Sequence, residues 1–123
     1  MATGEQYLDQ ARHNERFLTT FDLSVSPYLD WAVTVIFYAA LHYLRALAAI
    51  YGFTGISSYV DEDRTFARLS VLRRNAGIYA DYRQLKDDSR AARYEMKRLT
   101  PEAASELRNE ELYRIREVVL ANL

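Results

Sequence analysis

The chain of 123 residues contains no cysteine, only two prolines and only four glycines. Without thiols it can form neither disulfides nor cysteine-ligated zinc sites, and it has no cysteine nucleophile. The absence of cysteine also fits a reducing compartment, and the first seventeen residues lack the apolar segment of a signal peptide. We therefore expect a cytoplasmic protein. The glycines are dispersed along the chain, which excludes a glycine-rich phosphate-binding loop.

Histidine is equally scarce. The only two, His13 and His42, fit no metal-binding spacing, so we expect neither a metal nor another cofactor. The alternation of polar and apolar residues that is typical of strands is missing, as are internal repeats and low-complexity tracts. Half of the residues are hydrophobic, which indicates one globular domain over residues 1–123.

The most apolar stretch runs from Asp30 to Gly52. Ser26 followed by Pro27 predicts the start of a helix here, and Gly52 predicts its end. Its length would suit a membrane span, but His42 and Arg45 interrupt the apolar run and favour a buried central helix without membrane contact. Further helices are predicted near 5–21, 61–75, 78–96 and 101–121 around the central one at 27–51, with caps at Asp61 and at Thr100-Pro101. The expected fold is all-α, an antiparallel bundle of four to five helices.

One face of the central helix carries polar residues among apolar ones. Steps of four and three place six residues on this face: Trp31, Val35, Tyr38, His42, Arg45 and Ala49. Two interpretations are open. His42 could be a hydrogen-bonded core histidine, with Arg45 paired to a carboxylate of another helix. Alternatively, the face forms a polar pocket or a subunit interface.

A second unusual stretch runs from Tyr82 to Tyr94, within a basic part of the chain. Residues 64–98 contain ten Lys/Arg and four Asp/Glu, whereas the segments before and after them are acidic. This helix could be an ordinary exposed one whose arginines are neutralised by Asp87 and Asp88. It could also present donors and rings for phosphate binding and base stacking. The candidate binding residues are Tyr38, Lys86, Ser89, Arg90, Arg93 and Tyr94.

Together, the two stretches suggest a family. The pattern DWxxxxxFYAALHYLxA (Asp30 to Ala46) followed by YxxLxxxSRxARY (Tyr82 to Tyr94) resembles the HEPN superfamily, particularly its small stand-alone bacterial and archaeal members. The resemblance covers most of residues 26–96. It implies an HEPN-like helical bundle that often dimerises. Many such domains are RNA-cutting toxins or defence effectors, and others are non-catalytic partners of nucleotidyltransferase-like proteins.

The sequence departs from the family's catalytic motif, an arginine followed four to six residues later by a histidine. Positions 35–38 before His42 and 6–9 before His13 hold no arginine, and positions 59–63 ahead of Arg64 hold no histidine. We therefore favour an accessory module that forms a homodimer and binds RNA, a nucleotide or a protein partner. That partner could be a nucleotidyltransferase-like protein or a component of a toxin–antitoxin or defence system. The alternative is a divergent metal-independent ribonuclease in which His42 and Arg45 are catalytic and Arg93 helps to hold phosphate.

Overall fold

Helices form the framework of the computed structural model, which describes residues 2–53 and 58–123 without the side chain of Tyr59. No strand occurs in these ranges, so the all-α prediction is confirmed. The helices are α1 Gly4–Leu18, α2 Leu29–Ile50, α3 Tyr59–Arg68, α4 Ser70–Arg74, α5 Ala76–Tyr94, α6 Pro101–Glu106 and α7 Tyr113–Ala121. A π-helical segment, Leu107–Leu112, joins α6 to α7 without a break.

The long helix α2 is the centre of the bundle. Thirteen of its 22 residues are buried, and they pack mainly against α1 and α5. By length and composition α2 could cross a bilayer, but 67% of its most apolar window is buried inside the bundle. Both neighbours run antiparallel to it. The start of α1 at Gly4 lies beside the end of α2, and Arg93 near the end of α5 stacks on Tyr38 in the first half of α2.

Two of the predicted helix ends are confirmed. Gly52 adopts a left-handed φ of 89°, and the Phe53 amide donates to the Ala48 carbonyl at 2.9 Å, which closes the C-terminus of α2. At the start of α6, the Thr100 hydroxyl accepts from the Ala103 amide at 3.1 Å, directly before the proline.

Two predicted helix starts are wrong by a few residues. The Ser26 hydroxyl accepts from the Tyr28 amide at 3.1 Å, so it stabilises a turn before α2, which begins at Leu29. The cap of α3 is Ser58, whose hydroxyl accepts from the Asp61 amide at 3.1 Å. Asp61, the predicted cap, therefore lies within the first turn of the helix.

The helix predicted at 61–75 is two helices. Leu69 has an extended backbone, with φ −71° and ψ 122°, which ends α3 at Arg68 and lets α4 start at Ser70. The bend buries Leu69 together with Val71 and Leu72. Counting 101–121 as one helix, the described chain has six helices instead of the predicted four to five.

Candidate functional site

The predicted polar face of α2 is the side that the bundle covers least. Trp31 is 56% exposed, and the other five residues of this face are partly exposed, whereas the remaining sides of the helix are largely buried. Tyr7 of α1 borders the face on one side, and Arg93 of α5 borders it on the other. We call this surface the open face of α2.

Arg45 on the open face is already paired. Its guanidinium donates to Glu62 of α3, whose side chain is fully buried. The guanidinium carbon of Arg45 also lies 5.9 Å from the centre of the Tyr7 ring. Arg45 therefore matches the interpretation in which it pairs with a carboxylate of another helix, and Glu62 neutralises its charge.

His42 is half-buried beside this pair. Its Nδ1 lies 2.7 Å from the carbonyl oxygen of Tyr38, and because a carbonyl oxygen only accepts, Nδ1 carries the proton. Burial lowers the pKa of His42 below its usual value; the hydrogen bond to Tyr38 opposes this shift, and the charge of Arg45 adds to it. The imidazole is thus mainly neutral at pH 7 and leaves Nε2 able to accept a proton.

A separate group of cations lies along α5. Lys86, Arg90 and Arg93, which we call the cation cluster, line a cavity of about 370 Å³ together with Phe37 and Tyr94. Arg93 is held by two rings: its guanidinium carbon lies 5.8 Å from the centre of the Tyr38 ring and 5.3 Å from that of Tyr94. Its Nη1 is buried and has no hydrogen-bond partner among the residues that the structure describes.

The acids and the serine of α5 do not line this cavity. Ser89 is fully buried and donates to the Lys86 carbonyl at 3.0 Å. Asp88 accepts from Gln84 at 2.8 Å and from Lys97 at 3.3 Å, and Asp87 is exposed. Neither aspartate forms an ion pair with Arg90 or Arg93 in the described chain, so these acids do not offset the positive charge of the cluster at the two arginines.

Tyr38 connects the two groups. Its carbonyl holds His42 and its ring supports Arg93, although neither His42 nor Arg45 lines the cavity. The sequence alone does not identify Tyr7, Glu62 or Asp63 as part of this region. These residues come from α1 and α3, and no local pattern indicates which cation an acid will meet across the bundle.

Two other polar groups lie away from the open face. The buried Tyr43 donates to Glu15, which also accepts from Arg116 at 2.7 Å. In the last helix, the carboxylates of Glu106, Glu110 and Glu111 lie within 4.8 Å of one another, and two of these residues are exposed. Exposed acids commonly lie this close without an ion, so the cluster by itself assigns no metal site.

Comparison of the chain with protein-family models, with curated proteins and with solved structures finds no match. The resemblance to the HEPN superfamily thus rests on the two sequence patterns in α2 and α5.

Proposed function

We propose that this protein is a non-catalytic, HEPN-like binding module whose cation cluster binds the phosphates of RNA or of a nucleotide. The observation that carries the proposal is Arg93. Its guanidinium lies within 6 Å of the centres of two tyrosine rings and has no acidic partner in the described chain, and Arg93 lines a cavity with Lys86 and Arg90.

The environment of Arg93 favours an anionic ligand. Because no acid of the described chain pairs with Arg93, a phosphate that reaches the part of its guanidinium lining the cavity gains charge-assisted hydrogen bonds without first displacing a protein carboxylate. The two rings also restrict the side chain before binding, which reduces the entropy lost when the ligand arrives. A phosphate therefore suits this position well.

Tyr94 supplies a second kind of contact. It is 73% exposed and lies against the Arg93 guanidinium. An exposed ring beside phosphate-binding cations allows an unpaired base to stack, which is worth about 1–3 kcal/mol per base in single-strand-binding proteins. The site can thus contact both the phosphate and the base of one nucleotide, which favours single-stranded RNA over a simple anion.

The test is fluorescence anisotropy with a short single-stranded RNA at low salt. Arg93→Ala should weaken binding about tenfold or more, since hydrogen bonds to charged groups are worth roughly 1.5–3 kcal/mol. Arg74→Ala is the matched control because Arg74 is exposed at the end of α4, and it should change affinity less than about twofold. Equal losses in the two variants, or no binding by the wild type, would contradict the proposal.

Self-association is part of the proposal. Large apolar side chains remain exposed near the start of α2 and just after α5, among them Trp31 at 56% and Met96 at 85%. Such surfaces commonly meet a partner, and we propose a second copy of this chain. Light scattering should give a dimer mass at tens of micromolar, and Trp31→Glu should give a monomer. A wild-type monomer would instead favour a different protein partner, such as the nucleotidyltransferase-like or defence-system class.

The second candidate function is a metal-independent ribonuclease that uses His42. The observation in its favour is a neutral imidazole with Nε2 free to accept a proton on the open face. The nearby cation Arg45 is neutralised by Glu62, which is why we rank this function second. Cleavage of RNA in EDTA that is lost in His42→Ala while binding persists would support it. No cleavage by the wild type would leave the binding module.

A further inference from the structure

The N-terminal half of α3 contacts cations from two different helices. Its consecutive acids Glu62 and Asp63 bind Arg45 of α2 and Lys86 of α5, respectively. Lys86 belongs to the cation cluster, so one of the three cations of the cluster is already paired with an acid of the protein itself.

The contact between Asp63 and Lys86 resembles the one that a phosphate would make. The Lys86 ammonium donates to both carboxylate oxygens of Asp63, at 3.2 and 3.4 Å. A carboxylate presents an anionic pair of oxygens to the ammonium, as a phosphate does. With Asp63 in place, Arg90 and Arg93 are the two members of the cluster whose charge no acid in the described chain neutralises.

We infer that Asp63 is a built-in competitor for the ligand, an autoinhibitory contact that a phosphate displaces from Lys86. The inference rests on the proposed function. Asp63 is suited to this exchange because its side chain is 31% exposed, so water can solvate the released carboxylate. The neighbouring Glu62 is fully buried and keeps α3 in place during the exchange.

The docking of α3 also does not depend on Asp63. Phe66 is fully buried and packs edge-on against Tyr82, with their ring centres 5.3 Å apart. Displacement therefore requires only a side-chain rotation at Asp63, and α3 stays docked on the bundle.

The test compares Asp63→Asn with Asp87→Asn in the full chain, using the same short single-stranded RNA. Both variants remove one negative charge near Lys86, but Asp87 is exposed on α5 and forms no ion pair in the described chain. Asp63→Asn should raise affinity about two- to fivefold beyond the control, the range expected for a partly exposed ion pair. The slope of log affinity against log salt should change by less than the roughly 0.7 expected for one phosphate contact, because Lys86 contacts phosphate in the bound wild type as well.

A third variant assigns the effect to Lys86. In a Lys86→Ala background, Asp63→Asn should no longer raise affinity. If the wild type binds RNA and the two asparagine variants bind it with equal affinity, Asp63 is not a competitor, and the proposed function stays intact. This conclusion holds even if urea unfolding shows that Asp63→Asn is less stable than the wild type. No binding by any variant would overturn both proposals.

Discussion

Replacing Arg45 with alanine should strongly destabilise the fold, because it leaves Glu62 in the interior without its partner. The side chain of Glu62 is fully buried, and its Oε2 has no hydrogen-bond partner in the described chain even when Arg45 is present. Removing one member of a buried ion pair costs about 3–5 kcal/mol. Arg45 itself is 22% exposed, so water can enter the vacated space. We therefore expect the lower end of that range, about 3 kcal/mol.

Urea unfolding followed by circular dichroism measures this cost. With a denaturant slope of about 2 kcal/mol per molar urea, the midpoint should fall by roughly 1.5 M. The control replaces both partners with apolar residues of similar size, Arg45→Met with Glu62→Leu. It should unfold close to the wild type, because such replacements are often neutral or stabilising. A loss below about 1 kcal/mol in Arg45→Ala would show that water already solvates Glu62, and would refute the reasoning.

Four further changes should alter stability in defined directions. Gly52→Ala should lower the free energy of unfolding by about 1–2 kcal/mol, because Gly52 has a left-handed backbone. Gly77→Ala should raise the free energy of unfolding by about 0.5–1 kcal/mol, because a methyl group at this helical position meets open space. Opposite shifts in the thermal midpoint would confirm both predictions. Tyr43→Phe should cost about 1–2 kcal/mol in urea unfolding, since Glu15 loses a buried hydrogen bond. Because the pKa of His42 is lowered, the unfolded chain takes up a proton more readily below about pH 6.5, and stability should fall as the pH drops through that window. His42→Gln should remove this part of the pH dependence, and an unchanged profile would contradict the assignment.

The sequence predicts best where local chemistry decides the structure. The apolar run ending at Gly52 predicts α2, and His42 and Arg45 within it lie on the face that the bundle covers least. The break at Leu69 is different: no proline or glycine marks it. It arises because burying Leu69 against the rest of the bundle outweighs continuing the helix, and such long-range packing has no local signature.

The contacts in the candidate site also depend on long-range packing that the sequence does not predict. Arg90 and Arg93 are both arginines of α5, and only the packing of α5 on α2 brings Arg93 close to the Tyr38 ring, in addition to its sequence neighbour Tyr94. Acids in the first turn of a helix usually suit the helix dipole at the surface. The burial of Glu62 therefore could not be predicted before its contact with Arg45 was known.

The π-helical segment of the last helix has a consequence for tolerated chain length. Leu107 and Leu112 are five residues apart, yet both are buried, because a π turn returns to the same side after about one more residue than an α turn. Deleting one residue between them, for example Asn109, would leave the two leucines four apart, the spacing at which an α-helix brings side chains to one face. Here a one-residue deletion preserves the register of the core, whereas elsewhere in these helices it would rotate every later side chain by about 100°.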